Sequence, residues 1–187
     1  GVSLGDLAVQ VQKKVENVDI PRSIVYNIGG AFEDMMDTVK DLGLLLVIII
    51  LLVFIVMASQ FESLKMPLII MTSILFSFSG VVLGLWITNT IMSTIAMLGA
   101  ILLVGIVVKN GIVMVDFINL LRERGIELYK AVELGCKSRL RPVLMTAMTT
   151  VLGMLPMALS VGEGSEIWAP MGITVIGGLL FSTLITL

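Results

Sequence analysis

The sequence lacks histidine altogether and contains a single cysteine, Cys136. The first absence excludes an imidazole general base, an imidazole metal ligand and the usual switch of charge near neutral pH. The second excludes a disulfide within the chain, and we expect Cys136 to be an ordinary reduced thiol. The glycines of VGEGSE, Gly162–Gly164, resemble a phosphate-binding loop but lack its lysine. We therefore predict no catalytic site, no metal site and no cofactor.

Charged side chains are also scarce, at 14% of the chain, whereas hydrophobic residues make up 57% and the mean hydropathy is +1.07. Soluble domains are about 25% charged and about 45–50% apolar. The composition therefore predicts a membrane protein, with the lipid bilayer as its main partner and no role for nucleic acid.

Residues 1–30 differ from the rest because they have the pattern of a soluble segment. Ser3 can cap a helix that runs to about Val18, and residues 22–28 are typical of a short strand. One helix and one strand do not make a stable domain. We interpret residues 1–30 as the end of an extracytoplasmic α/β subdomain, and both chain ends as cut from a longer protein.

The remaining chain, residues 31–187, predicts an all-α polytopic membrane protein. Long apolar stretches indicate five spans, the last of them truncated, with an amphipathic surface helix after the third. The spans are expected at about 42–59, 66–87, 91–121, 142–160 and 169–187, and the surface helix at about 122–138. Pro142 suits the first turn of the fourth span, and Pro156 is expected to kink its far end.

The segment 122–141 carries six basic side chains, whereas the links at 88–94 and 161–168 carry none. Basic residues concentrate on the cytoplasmic side of membrane proteins. We therefore predict that 122–141 is cytoplasmic and that 1–30 is extracytoplasmic, with Trp86 and Trp168 as anchors at the membrane surface.

Small residues recur along the second span at steps of four, three and four. Such a stripe lets two membrane helices approach closely, although small residues also occur in lipid-facing helices. We predict a helix-packing face formed by Ser73, Ser77, Gly80 and Gly84.

The main candidate for function is Lys109, in the middle of the third span. A lysine at that depth is unfavourable by about 2.5–3.5 kcal/mol unless it has a partner. Asp116 is seven residues away on the same helix, about 10.5 Å along the axis, too far for direct pairing. Asn110 adds a neighbouring hydrogen-bonding group. We predict that the negative partner of Lys109 lies on a helix outside this sequence; the alternative is a lysine that reaches the interface or stays neutral in a cavity.

A second pair, Arg139 and Thr146, lies on one face of the helix that contains Pro142. Arg139 would sit at the cytoplasmic mouth and Thr146 about two turns deeper. The plain alternative for Arg139 is a topology anchor. The 13 methionines, among them Met145, Met148 and Met154, could form a path for soft metals, but methionine is also a common core residue.

Three blocks carry a resemblance to a known family: GIVVKNGIVMVDF, SRLRPVLMTAMTTVLGMLPMALSVGEGSE and VIGGLLFSTLITL. With ASQFESLKMPLIIM, they resemble the carboxy-terminal half of resistance–nodulation–division (RND) transporters, and the drug-exporting branch more than its relatives. The resemblance implies an inner-membrane antiporter that uses protons as the coupling ion, with twelve spans and two porter insertions. It also implies a homotrimer, with a possible periplasmic adaptor and outer-membrane channel. The spans here would be the eighth to the twelfth.

The family's proton relay pairs a lysine of the tenth span with two aspartates of the fourth span, and the motif of that lysine is matched by Lys109. The family's arginine and threonine of the eleventh span are matched by Arg139 and Thr146. The aspartate pair is absent from this sequence, which agrees with the missing counter-charge. Three alternatives stay open: a metal exporter of the same fold, a member that assists lipid or protein export, and a non-transporting membrane scaffold.

Overall fold

The computed structural model describes residues 10–11, 13–14, 31–159 and 164–186 of the chain. Within them the secondary structure is entirely helical, and five helices are long and apolar enough to cross a membrane. They are α1 (Ala31–Phe61), α2 (Lys65–Ile87), α3 (Thr94–Glu123), α4 (Leu128–Ala158) and α5 (Ser165–Thr186). The prediction of five apolar spans is confirmed. The predicted strand at 22–28, and most of the predicted helix before it, lie outside the described residues.

The region after α3 differs from its prediction. A separate surface helix was expected at about 122–138, but α3 continues to Glu123, and α4 runs unbroken from Leu128 to Ala158. The two helices are joined by a turn in which Gly125 has a φ of 83°, a value that suits a residue without a side chain. Pro142 was expected in the first turn of a helix, but it lies inside α4. A proline removes one backbone hydrogen bond, and the helix continues past that position.

The contacts divide the chain into two compact units, Gly1–Leu45 and Leu46–Leu187. In the second unit, α5 packs against α2, α3 and α4. It runs parallel to α3 and antiparallel to α2 and α4, as an alternating path across a membrane requires. The core between these helices is a cluster of buried apolar side chains: Val81, Leu85, Leu103, Val107, Ala147 and Leu179.

The part of α1 that belongs to the second unit packs through its side chains on α2 and α3. Met57 is 1% exposed and lies in a second cluster with Ile70, Ile74, Val104 and Val108. The apolar stretches of α1 and α4 are mostly uncovered by the described helices. The apolar stretches of α2, α3 and α5 are buried to a much larger extent. The described helices therefore leave broad apolar faces available to lipid or to further helices.

The link between α2 and α3 explains where α3 begins. Ser93 has an extended backbone, and its side chain accepts a hydrogen bond of 3.2 Å from the backbone N–H of Ala96. This is an N-cap, which satisfies one of the free N–H groups at a helix start. The third span was expected from about residue 91, but the cap sets the helix start at Thr94.

Candidate functional site: Lys109 and the α3–α4 pair

Lys109 lies at the centre of α3, fifteen residues after Thr94 and fourteen before Glu123. At about 1.5 Å per residue, each end of the helix is about 21–23 Å away. A lysine side chain reaches only about 6 Å, whereas half the hydrocarbon core is about 15 Å thick. If α3 spans the bilayer near its centre, the ammonium group cannot reach either interface.

The side chain of Lys109 is exposed on the surface of the second unit and borders a groove between α1 and α3. The groove has a volume of about 330 Å³, and every other lining residue is uncharged and apolar: Leu52, Val53, Val56, Met57, Gly105, Val108, Ile112 and Val113. A side chain at position 105 would meet no atom within 4 Å. Open space therefore lies one turn before Lys109, on the side toward which helical side chains lean.

Within the described residues no carboxylate pairs with Lys109. Ion pairs that the structure does form include Lys40–Asp37, at 3.0 Å, and Lys137–Glu133, at 2.5 Å, both on exposed surface. Asp116 is exposed and Asn110 is half-buried, and no hydrogen bond joins either to Lys109. An ammonium group at an apolar surface is strongly unfavourable without a partner, so Lys109 is the described side chain whose environment most needs explaining.

The register between α3 and α4 sets the depth of Thr146. A Cβ added at Gly135 would lie 2.6 Å from Cγ1 of Ile118, and the guanidinium carbon of Arg139 lies 4.4 Å from the ring centroid of Phe117. Further along, Val107 and Ala147 share one buried cluster. In each pair the number on α4 rises as the number on α3 falls. The same register places Thr146 at about the depth of Lys109.

Thr146 and Arg139 nevertheless remain separate from Lys109. The Thr146 hydroxyl donates to the backbone carbonyl of Val143, at 2.9 Å. Arg139 lies at the level of Phe117, which is eight residues beyond Lys109 and about 12 Å along α3. The structure thus arranges the three sequence-predicted residues on neighbouring helices at two depths, without direct contact between them in the described residues.

The small residues of α2 face α5. Ser73 and Ser77 are buried, and their hydroxyls donate to carbonyls of their own helix. A Cβ at Gly80 would lie 2.7 Å from the carbonyl oxygen of Gly177, and one at Gly84 would lie 3.3 Å from Cα of Gly177. Backbone therefore lies against backbone at this crossing. The α5 side of the contact was not singled out from the sequence, although the Gly-Gly pair in VIGGLLF was a signal for it.

The described residues show no metal site built from acidic or cysteine side chains. No group of three or more histidine, cysteine, aspartate or glutamate side chains there could hold an ion. Met145 and Met148 are 73% and 52% exposed, on the uncovered surface of α4. At the start of α4, before its apolar part, a hydrogen bond from Lys137, aided by the lysine charge, lowers the pKa of Glu133; both side chains are on the surface and away from Lys109.

Comparison with known proteins identifies the family. A sequence profile of the AcrB/AcrD/AcrF family matches residues 1–187. The chain belongs to this family of RND proteins. Proteins similar to it include the cobalt-zinc-cadmium resistance protein CzcA of Cupriavidus metallidurans, 39% identical over 100% of this chain and 18% of CzcA. The multidrug resistance protein MdtC of Escherichia coli is 35% identical over 100% of this chain and 18% of MdtC.

The fold agrees with this membership. Crystal structures of a heavy metal efflux pump superpose with TM-scores of 0.86 and 0.78, at 28% and 27% identity, over 100% of this chain and 19% of the pump. The chain thus spans about a fifth of the length of the relatives it matches. Those relatives include a metal resistance protein and a multidrug resistance protein, so the preference for the drug-exporting branch stays a prediction.

Proposed function

We propose that this chain is part of a proton-driven RND transporter of the inner membrane and contributes the lysine side of its proton relay. The single observation that carries the proposal is Lys109, a mid-helix lysine on an otherwise apolar groove that has no counter-charge among the residues the structure describes. A charged side chain within a membrane-spanning helix is rare and usually marks a functional site with a partner charge. The groove fits a further helix that carries the partner carboxylates.

Lys109 then acts as a sensor of protonation on that helix. While the carboxylates are ionised, Lys109 pairs with them. When a proton from the outer side neutralises them, the attraction is lost and Lys109 turns toward Asn110 or Thr146, which lies at about the same depth. The open space at Gly105 leaves room for this rotation. The packing of α3 shifts, and the shift drives alternating access elsewhere in the transporter.

The test uses the full-length transporter in proteoliposomes with an imposed pH gradient. Lys109→Ala should abolish substrate transport and coupled proton movement, while the amount of assembled protein stays unchanged. The matched control is Lys130→Ala, which removes an exposed lysine from the start of α4. Near-normal transport in Lys109→Ala would refute the relay and favour a scaffold or another energy source.

The same proposal includes a trimer that works with a periplasmic adaptor and an outer-membrane channel. Residues 122–141 would face the cytoplasm and 1–30 the outer side, as the basic residues predict. Labelling of single introduced cysteines from each side of intact membranes would measure this orientation, after Cys136 has been replaced.

Metal export is a second candidate, favoured by the 39% identity to CzcA and by the fold similarity to a heavy metal efflux pump. The relay serves either cargo, because coupling and substrate binding use different residues. Cells that depend on the full-length transporter should gain tolerance to drugs and amphiphiles under the first candidate. Under the second they should gain tolerance to divalent cobalt, zinc or cadmium, and Lys109→Ala should remove whichever tolerance is found.

A further inference from the structure

Arg139 has an unusual environment for a guanidinium group. Its Nε is buried and has no hydrogen-bond partner in the described part of the chain. The contact that the structure gives the cation is the face of Phe117, with the guanidinium carbon 4.4 Å from the ring centroid. This lies within the roughly 6 Å over which an aromatic ring attracts a cation. Buried polar groups are usually hydrogen-bonded, so a buried guanidinium nitrogen without a partner requires an explanation.

The close approach of α3 and α4 fixes this contact. One turn before Arg139, Gly135 has no side chain, and a Cβ there would lie 2.6 Å from Cγ1 of Ile118. Ile118 follows Phe117 directly on α3. The close contact between Gly135 and Ile118 therefore fixes the distance between α3 and α4 beside the Phe117 ring. Because Phe117 and Lys109 lie on the same helix, any movement of α3 moves both.

We propose that Phe117 is a positioning residue for Arg139, a role that rests on the proposed relay. A carboxylate in its place would bind the guanidinium through two hydrogen bonds and fix it in one geometry. A ring attracts the charge without accepting directed hydrogen bonds, so it leaves the terminal N–H donors of the guanidinium unoccupied and able to bind a carboxylate of the relay. Phe117 thus keeps Arg139 in the α3–α4 contact and able to exchange partners when α3 moves.

The experiment substitutes Phe117 in the full-length transporter. Phe117→Leu should lower proton-coupled transport roughly fivefold and shift its pH profile. Phe117→Trp should keep the wild-type transport rate and pH profile, because tryptophan is the strongest cation–π partner. A series of fluorinated phenylalanines at position 117 should lower transport stepwise with little change of shape. Phe78→Leu is the matched control, since Phe78 is a half-buried ring that packs on an apolar cluster.

A second measurement reports the position of Arg139 independently of transport. The Nε–H proton of Arg139, observed by NMR in the purified full-length transporter, should be shifted upfield by the ring in wild type and Phe117→Trp. It should return toward its ordinary position in Phe117→Leu. An unchanged shift in Phe117→Leu, or unchanged transport and pH profile across the fluorinated series, would overturn the positioning role. Full transport in Lys109→Ala would instead overturn the relay, and the NMR result would still decide whether Phe117 holds Arg139.

Discussion

Gly80→Ala is the change for which the structure gives the clearest magnitude. The added methyl group would lie 2.5 Å from Cβ of Phe181 and 2.7 Å from the carbonyl oxygen of Gly177. Ordinary contacts between carbon atoms are about 3.5–4.0 Å. Neither neighbouring atom can move by a side-chain rotation, because one is backbone and the other is attached to it. The two helices therefore have to separate by about 1 Å.

The expected loss of stability is about 2 kcal/mol. Overpacking is unfavourable by about 1–3 kcal/mol, and the upper end applies because the clash is with backbone-fixed atoms. Alanine in turn stabilises a helix by about 1 kcal/mol relative to glycine. No hydrophobic driving force between membrane helices compensates for the lost contacts, since lipid tails are as apolar as side chains. The difference corresponds to roughly a 30-fold change in the unfolding equilibrium.

Unfolding of the purified protein by sodium dodecyl sulfate in mixed micelles measures this difference. The control is Gly153→Ala on α4, where an added Cβ meets no atom within 4 Å; its stability should stay equal or rise. If Gly80→Ala were as stable as Gly153→Ala, then α2 and α5 would not be in backbone contact, and the reasoning would be wrong.

Two further predictions concern local interactions. Ser93→Ala removes the cap of α3 and should lower stability by about 1 kcal/mol in the same unfolding assay, whereas Ser79→Ala, on the exposed side of α2, should change it little. Lys137→Met should raise the pKa of Glu133, as followed by carbon NMR of the carboxyl group; a pKa that did not move would exclude the ion pair. Because the pKa of Glu133 is lowered in the folded protein, the pair contributes to stability above the ordinary value of 4.5, and this contribution disappears as the pH falls through the lowered pKa.

Hydropathy was sufficient to predict the five helices because each contains an apolar run long enough to cross a bilayer. Their ends depended on weaker signals. The start of α3 follows from one hydroxyl at Ser93, and the turn before α4 follows from the positive φ of Gly125. Pro142 suggested a helix start, yet it lies within α4, which begins fourteen residues earlier at Leu128.

The candidate site was predictable only in part, for a physical reason. Lys109 stands out in the sequence because a charge in an apolar run is unfavourable wherever the helix packs. The contact between Phe117 and Arg139 depends on the distance between two helices, and an aromatic residue near the end of a span has many ordinary explanations. Similarly, the partner of Gly80 could not be identified before the register of α2 and α5 was known.

The central position of α5 has a consequence for biosynthesis. A ribosome delivers α2, α3 and α4 to the membrane before α5, although α5 is the helix that all three contact. Until it arrives, the face of α2 that contains Gly80 and Gly84 has no helix packed against it. The packing of α2, α3 and α4 in this region is therefore completed only when α5 inserts and contacts all three helices.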